Sequence, residues 1–585
     1  MSIIDSLRLR LGGFDALLLL ALVGLASGIL AGATNILFRL FTESGVVLWH
    51  PQSDLGDFEG LSWQFRLIMP IIGGLLVGLF LQKLSKHRRS VGVGHTLERM
   101  VFHQGMMSWK NAVVQFFVGG LSLASGMSVG REGPGIHLGA ASGSWLGQRL
   151  KLPNNSVRVL VGCGSAAAIS ASFNTPLAGV IFAMEVIMME YTITSFIPVI
   201  LASVSGAVLS RAVFGNNVAF NVPQLQLTSL FEMPYFLLMG IVIGALAALF
   251  IYSTTLVARK TSAWPVWVKC SLSGITVGII AIGIPQIMGI GYDSVNSTLQ
   301  GNYGLFLLIL CLVGKFVATI ACSGMSMPGG VIGPTFFIGA MAGATIGVIG
   351  QWIFPEYASS YPFYAMVGMA TMMSAVLQAP LAALMALLEL TANPNIILPG
   401  MFSVVVANLV VTQVFKQQSI FQSLMNARGM EIKINPLTQF LRRVAVAGTM
   451  ERSIAVHDRH VRLLDIATIL EETPRWIIIR EDNVPISLMS ANDLARFMIT
   501  QESSTEPMPE TIDLLKIPAD RQNISSVYLQ ATLEEVLDTL ERDQTDAAYV
   551  YRTTAPLTEK IYGVITRETV ESYYQYKPTR PISSS

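Results

Sequence analysis

Charged residues are scarce in this chain of 585 residues. Asp, Glu, Lys and Arg together make up only 13% of it, whereas a typical soluble protein contains about 25%. Hydrophobic residues reach 52%, and the mean hydropathy is +0.56. This composition excludes a disordered chain and a nucleic-acid-binding protein, and it favours a chain that lies largely within a lipid bilayer.

Cysteine is also rare. Cys163, Cys270, Cys311 and Cys322 are the only four, and all of them fall in apolar segments without Cys-x-x-Cys spacing. We therefore expect buried free thiols instead of a disulfide framework or a zinc site. We predict no metal site and no resident cofactor.

The charges are unevenly distributed along the chain. The first 430 residues carry 35 of them, and the last 155 carry 40. The first part is therefore predicted to be membrane-embedded, and the second to be a soluble domain. No secretory signal peptide is evident. Residues 1–14 mix apolar residues with Arg8 and Arg10, and we predict an N-terminal amphipathic segment there, on the cytoplasmic face of the membrane.

The first part contains two kinds of apolar segment. Several are long enough to cross a bilayer, which takes about 20 residues: Ala16–Leu40, Leu67–Leu84, Phe196–Val213, Tyr235–Val257, Cys270–Gly289, Gly304–Ile320 and Ile397–Val414. Others are shorter and interrupted by glycine: Ala112–Met127, Val157–Ala171, Pro176–Met189, Gly330–Ile349 and Leu377–Leu390. Short, broken segments in matching positions are typical of inverted-repeat transporters. We therefore predict an all-α membrane domain over 15–430 with broken helices and two halves, at about 15–215 and 233–425.

Two glycine-rich turns, 200 residues apart, mark the halves. Gly130-Arg131-Glu132-Gly133-Pro134 and Gly330-Val331-Ile332-Gly333-Pro334 share a Gly-x-x-Gly-Pro pattern before an apolar helix. Proline suits the first helical turn, and glycine lets the backbone approach a ligand. Because a helix N-terminus presents free N–H groups and a partial positive charge, several such ends at one point could replace the water around a small anion. No fixed cation is then needed, so the ion could leave again.

Glu132 is an ionisable residue inside an apolar segment, which marks it as a functional candidate. A carboxylate beside an anion site competes with the anion for the same N–H groups. Protonation would release the carboxylate and open the path, so we predict a proton-sensitive gate. The structural alternative is that Glu132 pairs with Arg131 and only caps the helix.

The soluble part is predicted to be a tandem of two small α/β modules, at 444–501 and 523–574, with a polar linker at 502–517 between them. Each module alternates short strands with amphipathic helices. The predicted strands and helices are Trp476–Arg480, Ala547–Tyr551, Leu463–Glu471 and Leu533–Arg542.

Three segments of the membrane domain resemble the signature sequences of CLC chloride channels and chloride/proton exchangers. They are SGMSVGREGPGIHLGA (125–140), SAAAISASFNTPLAGVIFAMEV (165–186) and SGMSMPGGVIGPTFFIGA (323–340). They follow the family's order and spacing, and the tail resembles the cytoplasmic CBS pair that many CLC proteins carry. The resemblance implies a homodimer that moves chloride through one pore per subunit and is not an enzyme. We expect a multi-pass protein of a prokaryotic inner membrane.

The resemblance also assigns roles to residues. Glu132 matches the family's external gating glutamate, and Arg131, Gly130 and Gly133 shape the turn around it. The loop whose backbone amides bind the central anion matches Gly330, Val331 and Ile332. His137 falls where eukaryotic members often have histidine, and we expect it to be a hydrogen-bonded core residue.

Three positions depart from the family's pattern. Val91 aligns with the anion-coordinating serine, although Ser90 is one place away, and Phe421 takes the place of an inner tyrosine that would touch the anion. Val186 takes the place of an internal proton-relaying glutamate, and we expect its neighbour Glu185 to be structural. Valine cannot carry a proton. These departures favour channel-like passive conduction, with a chloride/proton antiporter that uses a different internal proton path as the alternative.

Two further features concern the tail and the orientation. CBS pairs often bind adenine nucleotides, and Ser490 and Asp493 match the serine and ribose-binding aspartate of that pattern, whereas Thr569 replaces the aspartate in the second module. The alternative for the modules is a purely structural role in dimer contacts. A further hypothesis for the whole protein is a ligand-sensing receptor, in which the CBS pair is the active part and the membrane helices only anchor it. The basic cluster 83–89 indicates a cytoplasmic connection.

Overall fold

The computed structural model of the protein describes residues 17–49, 58–215, 220, 226–431, 436–502, 510–554 and 558–573. As far as they are described, the residues form two compact units. The first unit contains the described residues of 17–149 and 157–431, and the second contains 150–156 and the described residues of 436–573. The predicted amphipathic segment 1–14 lies outside the described residues.

Up to residue 431, the described regular structure is helical. The α-helices in chain order are α1 (Leu17–Trp49), α2 (Trp63–Lys83), α3 (Gly92–Phe102), α4 (Trp109–Ala124), α5 (Glu132–Arg149), α6 (Asn154–Phe173), α7 (Pro176–Phe182), α8 (Ile193–Phe214), α9 (Met233–Lys260), α10 (Val266–Gly283), α11 (Tyr292–Leu299), α12 (Leu305–Gly324), α13 (Ile332–Ile353), α14 (Tyr361–Leu377), α15 (Pro380–Thr391), α16 (Ile397–Leu409) and α17 (Ile420–Ala427). Short π-helical segments continue α7 at Ala183–Met188 and α16 at Val410–Val414.

Within the described residues, nine helices are long and apolar enough to cross a membrane. Two of them, α6 and α13, have 94% and 78% of their apolar window buried, so they are enclosed by other helices instead of facing lipid. Both helices are rich in glycine and alanine. These small residues let neighbouring helices approach closely, which explains the enclosure. The predicted short segments at 157–171 and 330–349 are thus complete helices of 20 and 22 residues.

Helices α7 and α15 are each capped at the N-terminus by a carboxylate near the C-terminal end of the other helix. Glu185, just after α7, accepts hydrogen bonds of 3.3 and 2.8 Å from backbone N–H groups in the first turn of α15. Glu389, near the end of α15, accepts hydrogen bonds of 2.9 and 2.7 Å from the first turn of α7. Carboxylates stabilise the N-terminus of a helix. Glu185 therefore has the structural role expected for it.

The second unit contains α/β structure in its described part. Its strands are β1 (Ile454–Asp458), β2 (His460–Arg462), β3 (Trp476–Glu481), β4 (Val484–Ser490), β5 (Thr511–Asp513), β6 (Arg521–Tyr528), β7 (Ala547–Thr554) and β8 (Thr558–Thr566). Its α-helices are α18 (Pro436–Leu441), α19 (Val446–Thr449), α20 (Leu463–Glu471), α21 (Ala491–Glu502), α22 (Leu533–Arg542) and α23 (Arg567–Ser572).

The same topology occurs twice in this unit. β1 pairs parallel with β3 across α20, and β3 pairs antiparallel with β4. β6 pairs parallel with β7 across α22, and β7 pairs antiparallel with β8. The antiparallel pair β4/β6 joins both repeats into one six-stranded sheet of order β1-β3-β4-β6-β7-β8. Helices α20 and α22 begin and end at the residues predicted from the sequence.

The polar linker predicted at 502–517 differs from the structure, because part of it forms β5. This strand pairs antiparallel with β2. The guanidinium of Arg459 donates to both oxygens of Asp513 in β5, with distances of 3.0 Å from Nε and 2.9 Å from Nη2, which lowers the pKa of Asp513 to about 2. A strand of three residues is too short to show the alternation by which strands are predicted.

Candidate anion site

The two glycine-rich turns lie side by side. Gly130 donates its N–H to the carbonyl of Gly330 at 2.7 Å, and Gly330 donates back to Gly130 at 2.7 Å. A Cβ atom at Gly133 would lie 2.5 Å from the Cα of Gly330, so only glycine permits this approach. The turns therefore bring the start of α5 and the start of α13 together.

This contact modifies one expectation. The N–H of Gly330 is engaged by Gly130 and is not open to an anion in this geometry. Val331 and Ile332 follow at the start of α13 and are buried, at 6% and 1% exposure. The N–H groups in the first turn of a helix have no acceptor within the helix. The role of these two N–H groups as anion ligands stays a prediction, while Gly330 holds the turn.

The carboxylate of Glu132 lies at the start of the opposite helix. Glu132 is fully buried, and its Oε2 accepts a hydrogen bond of 3.3 Å from the N–H of Gly333 in the first turn of α13. Its Oε1 accepts a hydrogen bond from the hydroxyl of Tyr292 at the start of α11. The carboxylate thus accepts from an N–H group at a helix start, which is the type of donor that the sequence predicts for the anion.

Arg131 does not neutralise this carboxylate. Its guanidinium donates to the carbonyl of Ser172 at 2.9 Å and lies 5.6 Å above the ring of Tyr292. Among the described residues, no ion pair joins Arg131 and Glu132. The alternative in which Glu132 pairs with Arg131 therefore does not describe this geometry, although Arg131 does pack over the tyrosine that binds Glu132.

Tyr292 and Lys315 were not identified from the sequence. Lys315 is fully buried in α12, and its ammonium donates to the carbonyls of Ile287 at 2.9 Å and Gly289 at 2.8 Å. These carbonyls belong to the segment that leads into Tyr292, so the lysine fixes the approach to α11. A charged residue within the apolar run 305–324 was the signal that could have revealed it.

The remaining predicted anion ligands lie around α3. Val91 is the N-cap residue of α3 and contributes no side-chain cap, and the carbonyl of Ser90 accepts a hydrogen bond of 3.0 Å from the side chain of Asn111. Phe421 is 7% exposed in the first turn of α17, which packs against α3. No contact recorded among the described residues joins these three side chains to the Glu132 carboxylate.

His137 pairs with another histidine. Its Nε2 lies 2.9 Å from the Nδ1 of His95 in α3, and His137 is fully buried while His95 is 3% exposed. The Nδ1 of His137 has no hydrogen-bond partner in the described part of the chain. His137 is thus a hydrogen-bonded core residue, as expected, but its partner is a second titratable ring.

The family profile described as "Voltage gated chloride channel" matches residues 73–412, which is more than half of the chain. The chain belongs to this family. A chloride channel protein of Ralstonia nicotianae, described as ClcB-like, is 31% identical over 397 residues, which is 66% of this chain and 91% of the relative. The H(+)/Cl(-) exchange transporter ClcA of Vibrio cholerae is 28% identical over 437 residues, which is 72% of this chain and 92% of the relative.

Solved structures support the same fold. A slow cyanobacterial Cl-/H+ antiporter superimposes with a TM-score of 0.61 at 22% identity, covering 71% of this chain and 97% of the antiporter. A eukaryotic CLC transporter superimposes with a TM-score of 0.57 at 18% identity, covering 97% of this chain and 99% of that protein. The protein therefore has the helical CLC membrane domain followed by an α/β region.

The residues predicted to bind a nucleotide lie where β4 meets α21. Ser490 ends β4, and its hydroxyl accepts a hydrogen bond of 3.3 Å from the N–H of Asn492. Asp493 is in the first turn of α21. In the second module, the hydroxyl of Thr569 lies 2.9 Å from that of Thr566. The two modules of this CLC protein thus differ at the position where a ribose-binding aspartate is expected.

Proposed function

We propose that this protein is a chloride/proton antiporter. The contact between the Glu132 carboxylate and the N–H of Gly333 carries the proposal, and the exchange activity in the names of several relatives supports it. Valine at position 186 favoured channel-like conduction, because it cannot relay a proton. The named exchangers favour the alternative, in which protons take a different internal path. The test is whether a chloride gradient across proteoliposomes drives protons against their own gradient.

The proposed mechanism is competition between two anions for the start of α13. When Glu132 is charged, its carboxylate accepts the Gly333 N–H and blocks the position that chloride needs. Protonation removes the charge and weakens both of its hydrogen bonds, because hydrogen bonds to an ionised group are roughly twice as strong as neutral ones. Chloride then takes the free N–H groups. In each cycle, the carboxyl group therefore carries a proton away from the start of α13, and an anion takes the position that the carboxylate has left.

The charge distribution around the site suits a transported ion. Lys315 donates to two backbone carbonyls and Arg131 donates to a third, so neither ammonium nor guanidinium is directed at the start of α13 by these contacts. The positive end of the helix dipole is the attraction that remains. An anion held in this way keeps no full countercharge, which favours its release on the other side.

Removal of the Tyr292 hydroxyl is expected to loosen the gate. In Tyr292→Phe, one of the two donors to the Glu132 carboxylate is lost, and a hydrogen bond to a charged group contributes about 1.5–3 kcal/mol. Chloride flux at neutral pH should therefore rise by roughly tenfold, as measured by chloride efflux from proteoliposomes. Tyr235→Phe is the control, because its hydroxyl donates to the carbonyl of Ile346 instead. Equal fluxes in both variants would contradict a role of Tyr292 at the gate.

The His95–His137 pair is the proposed internal proton path. The pair joins α3 to α5, and His137 follows Glu132 by five residues, about 7.5 Å along the helix axis. A proton that enters at the free Nδ1 of His137 can leave from its Nε2 to His95, which then releases its own proton from Nε2. The electrostatic fields of three charged or titratable neighbours act on His95. They are Arg99 and His103, which follow it in the chain, and Arg428 after α17.

His137→Gln is expected to uncouple the protein. The proton-to-chloride ratio should fall several-fold while chloride flux persists, since glutamine fills a similar volume but cannot carry a proton. Simultaneous recordings of pH and chloride in a vesicle suspension measure this ratio. His87→Gln is the matched control, because the His87 side chain is exposed and is not among the groups whose fields act on His95. An unchanged ratio in His137→Gln would exclude this path.

The surroundings of the transporter are part of the proposal. We propose a homodimer in a prokaryotic inner membrane with the α/β unit as a CBS pair in the cytoplasm, and the basic cluster 83–89 supports this orientation. The lipid bilayer, chloride and protons are then its partners. An adenine nucleotide is proposed at Ser490 and Asp493. If ATP leaves the unfolding temperature of the full chain unchanged, the structural alternative for the CBS pair is favoured.

A further inference from the structure

One face of α4 is directed at the start of α3. Asn111, Gln115 and Gly119 follow each other at intervals of four residues, so they lie on the same face of α4. Asn111 donates from its Nδ2 to the carbonyls of His87 at 2.9 Å and Ser90 at 3.0 Å. These carbonyls belong to the segment that enters α3. The next residue on this face, Gln115, therefore lies beside the first turn of α3.

Gln115 is a buried polar side chain without a partner. Its exposure is 0%, and neither Nε2 nor Oε1 has a hydrogen-bond partner among the described residues. Buried polar groups are almost always hydrogen-bonded, and an unsatisfied amide carries a large desolvation penalty. An apolar side chain would avoid this penalty. We therefore expect a bound ligand to satisfy the hydrogen bonds of this amide.

The amide of Gln115 lies between two helix starts. A Cβ atom added at Gly92, the first residue of α3, would lie 4.0 Å from Oε1 of Gln115. A Cβ atom added at Gly119 would lie 2.6 Å from Nε2 of Gln115 and 3.1 Å from the Cγ of Pro134 in the first turn of α5. The absence of side chains at both glycines thus leaves space around the amide, next to the N-termini of α3 and α5.

We propose that Gln115 is a ligand of the transported anion. Its Nε2, which lies on the side of Gly119 and Pro134, donates a hydrogen bond to an ion held at the N-terminus of α5, while Oε1 faces Gly92. The inference rests on the proposed function and deepens it. A neutral amide suits a small monovalent anion, because it orients and selects the ion without the full charge that would hold it too tightly.

This role also accounts for two departures in the sequence. Val91 has no hydroxyl at the position of the family's coordinating serine, and Phe421 has none at the position of its tyrosine. Without another donor, the anion would be bound by backbone N–H groups alone. Gln115 supplies a side-chain donor from a different helix, α4: its Nε2 faces the start of α5, and its Oε1 lies on the side of Gly92 in α3.

The test compares chloride binding by the full-length protein and its variants. Gln115→Met keeps the length and removes both polar atoms, and calorimetry of the purified protein in detergent measures its affinity for chloride. We expect the dissociation constant to rise about tenfold or more, because a hydrogen bond to a charged group is lost. Gln115→Glu has the same shape but adds a negative charge, and it should prevent chloride binding at neutral pH. Gln351→Met is the control, because the Gln351 amide binds the carbonyl of Ser359 near the far end of α13.

The outcomes separate this inference from the proposed function. If the unaltered protein neither binds nor transports chloride, the proposed function fails. If it does both and Gln115→Met binds chloride with unchanged affinity, the amide binds water instead, and only the role of Gln115 is overturned. Should Gln115→Met not fold, Gln115→Asn keeps the amide but shortens the side chain by one methylene, and an unchanged affinity in that variant would equally overturn the inference.

Discussion

Glu132→Gln is expected to make chloride flux independent of pH. In the unaltered protein, one carboxyl group must gain a proton before it leaves the Gly333 N–H, so flux should rise by up to about tenfold for each unit by which the pH falls. Glutamine has the same shape as a protonated glutamate and carries no charge. The variant should therefore conduct at every pH at the rate that the unaltered protein reaches in acid. The pH dependence is measured as the initial rate of chloride efflux from proteoliposomes between pH 4 and pH 8. This range of about four units includes the usual pKa values of carboxyl and histidine side chains.

The structure offers a matched control for this variant. Glu185 is a second carboxylate of the membrane domain that accepts backbone hydrogen bonds at a helix start, from the first turn of α15. Its bonds join α7 to α15 and do not involve the start of α13. Glu185→Gln should therefore lower the stability of the protein and leave the pH dependence of flux intact. If Glu132→Gln kept the pH dependence of the unaltered protein, Glu132 would not be the gate.

The candidate gate, Glu132, could be identified from the sequence because charge inside an apolar segment is costly. Glu132 stands out for this reason, and the repeated Gly-x-x-Gly-Pro turns indicate where the helix starts lie. The structure adds that the two turns bind each other through Gly130 and Gly330, and that the carboxylate belongs to α5 while the N–H it uses belongs to α13. A local pattern cannot specify such a pairing, because 200 residues separate its partners.

Other parts of the site depend on tertiary contacts alone. Tyr292 is an ordinary residue after a glycine until its hydroxyl is seen at Glu132, which precedes it by 160 residues. Gln115 is one of several amides in apolar helices, and only the folded chain shows that it lacks a partner. The length of α6 and α13 was underestimated for a related reason: glycine, which interrupts an apolar pattern, is what lets these helices pack inside the domain.

A chloride gradient is expected to drive protons uphill in the unaltered protein. At equal pH on both sides, a tenfold chloride gradient makes a passive chloride conductor reverse at about 59 mV, the value for one charge. An exchanger must reverse at a smaller voltage, because protons without a gradient share the same cycle. Its reversal voltage must also move when a pH gradient is applied. Recording the voltage at which net flux stops, with an ionophore setting the potential across proteoliposomes, distinguishes the two.

The Glu132 variant sharpens this measurement. Because its glutamine carries no transferable proton, Glu132→Gln should reverse near the chloride value and ignore the pH gradient, while chloride flux continues. The difference in reversal voltage between the unaltered protein and the variant is then caused by the proton that the carboxyl group carries. A reversal voltage of the unaltered protein that equals the chloride value, and that no pH gradient moves, would restore the channel-like reading that Val186 favoured. In that case protons would open the gate at Glu132 without crossing the membrane.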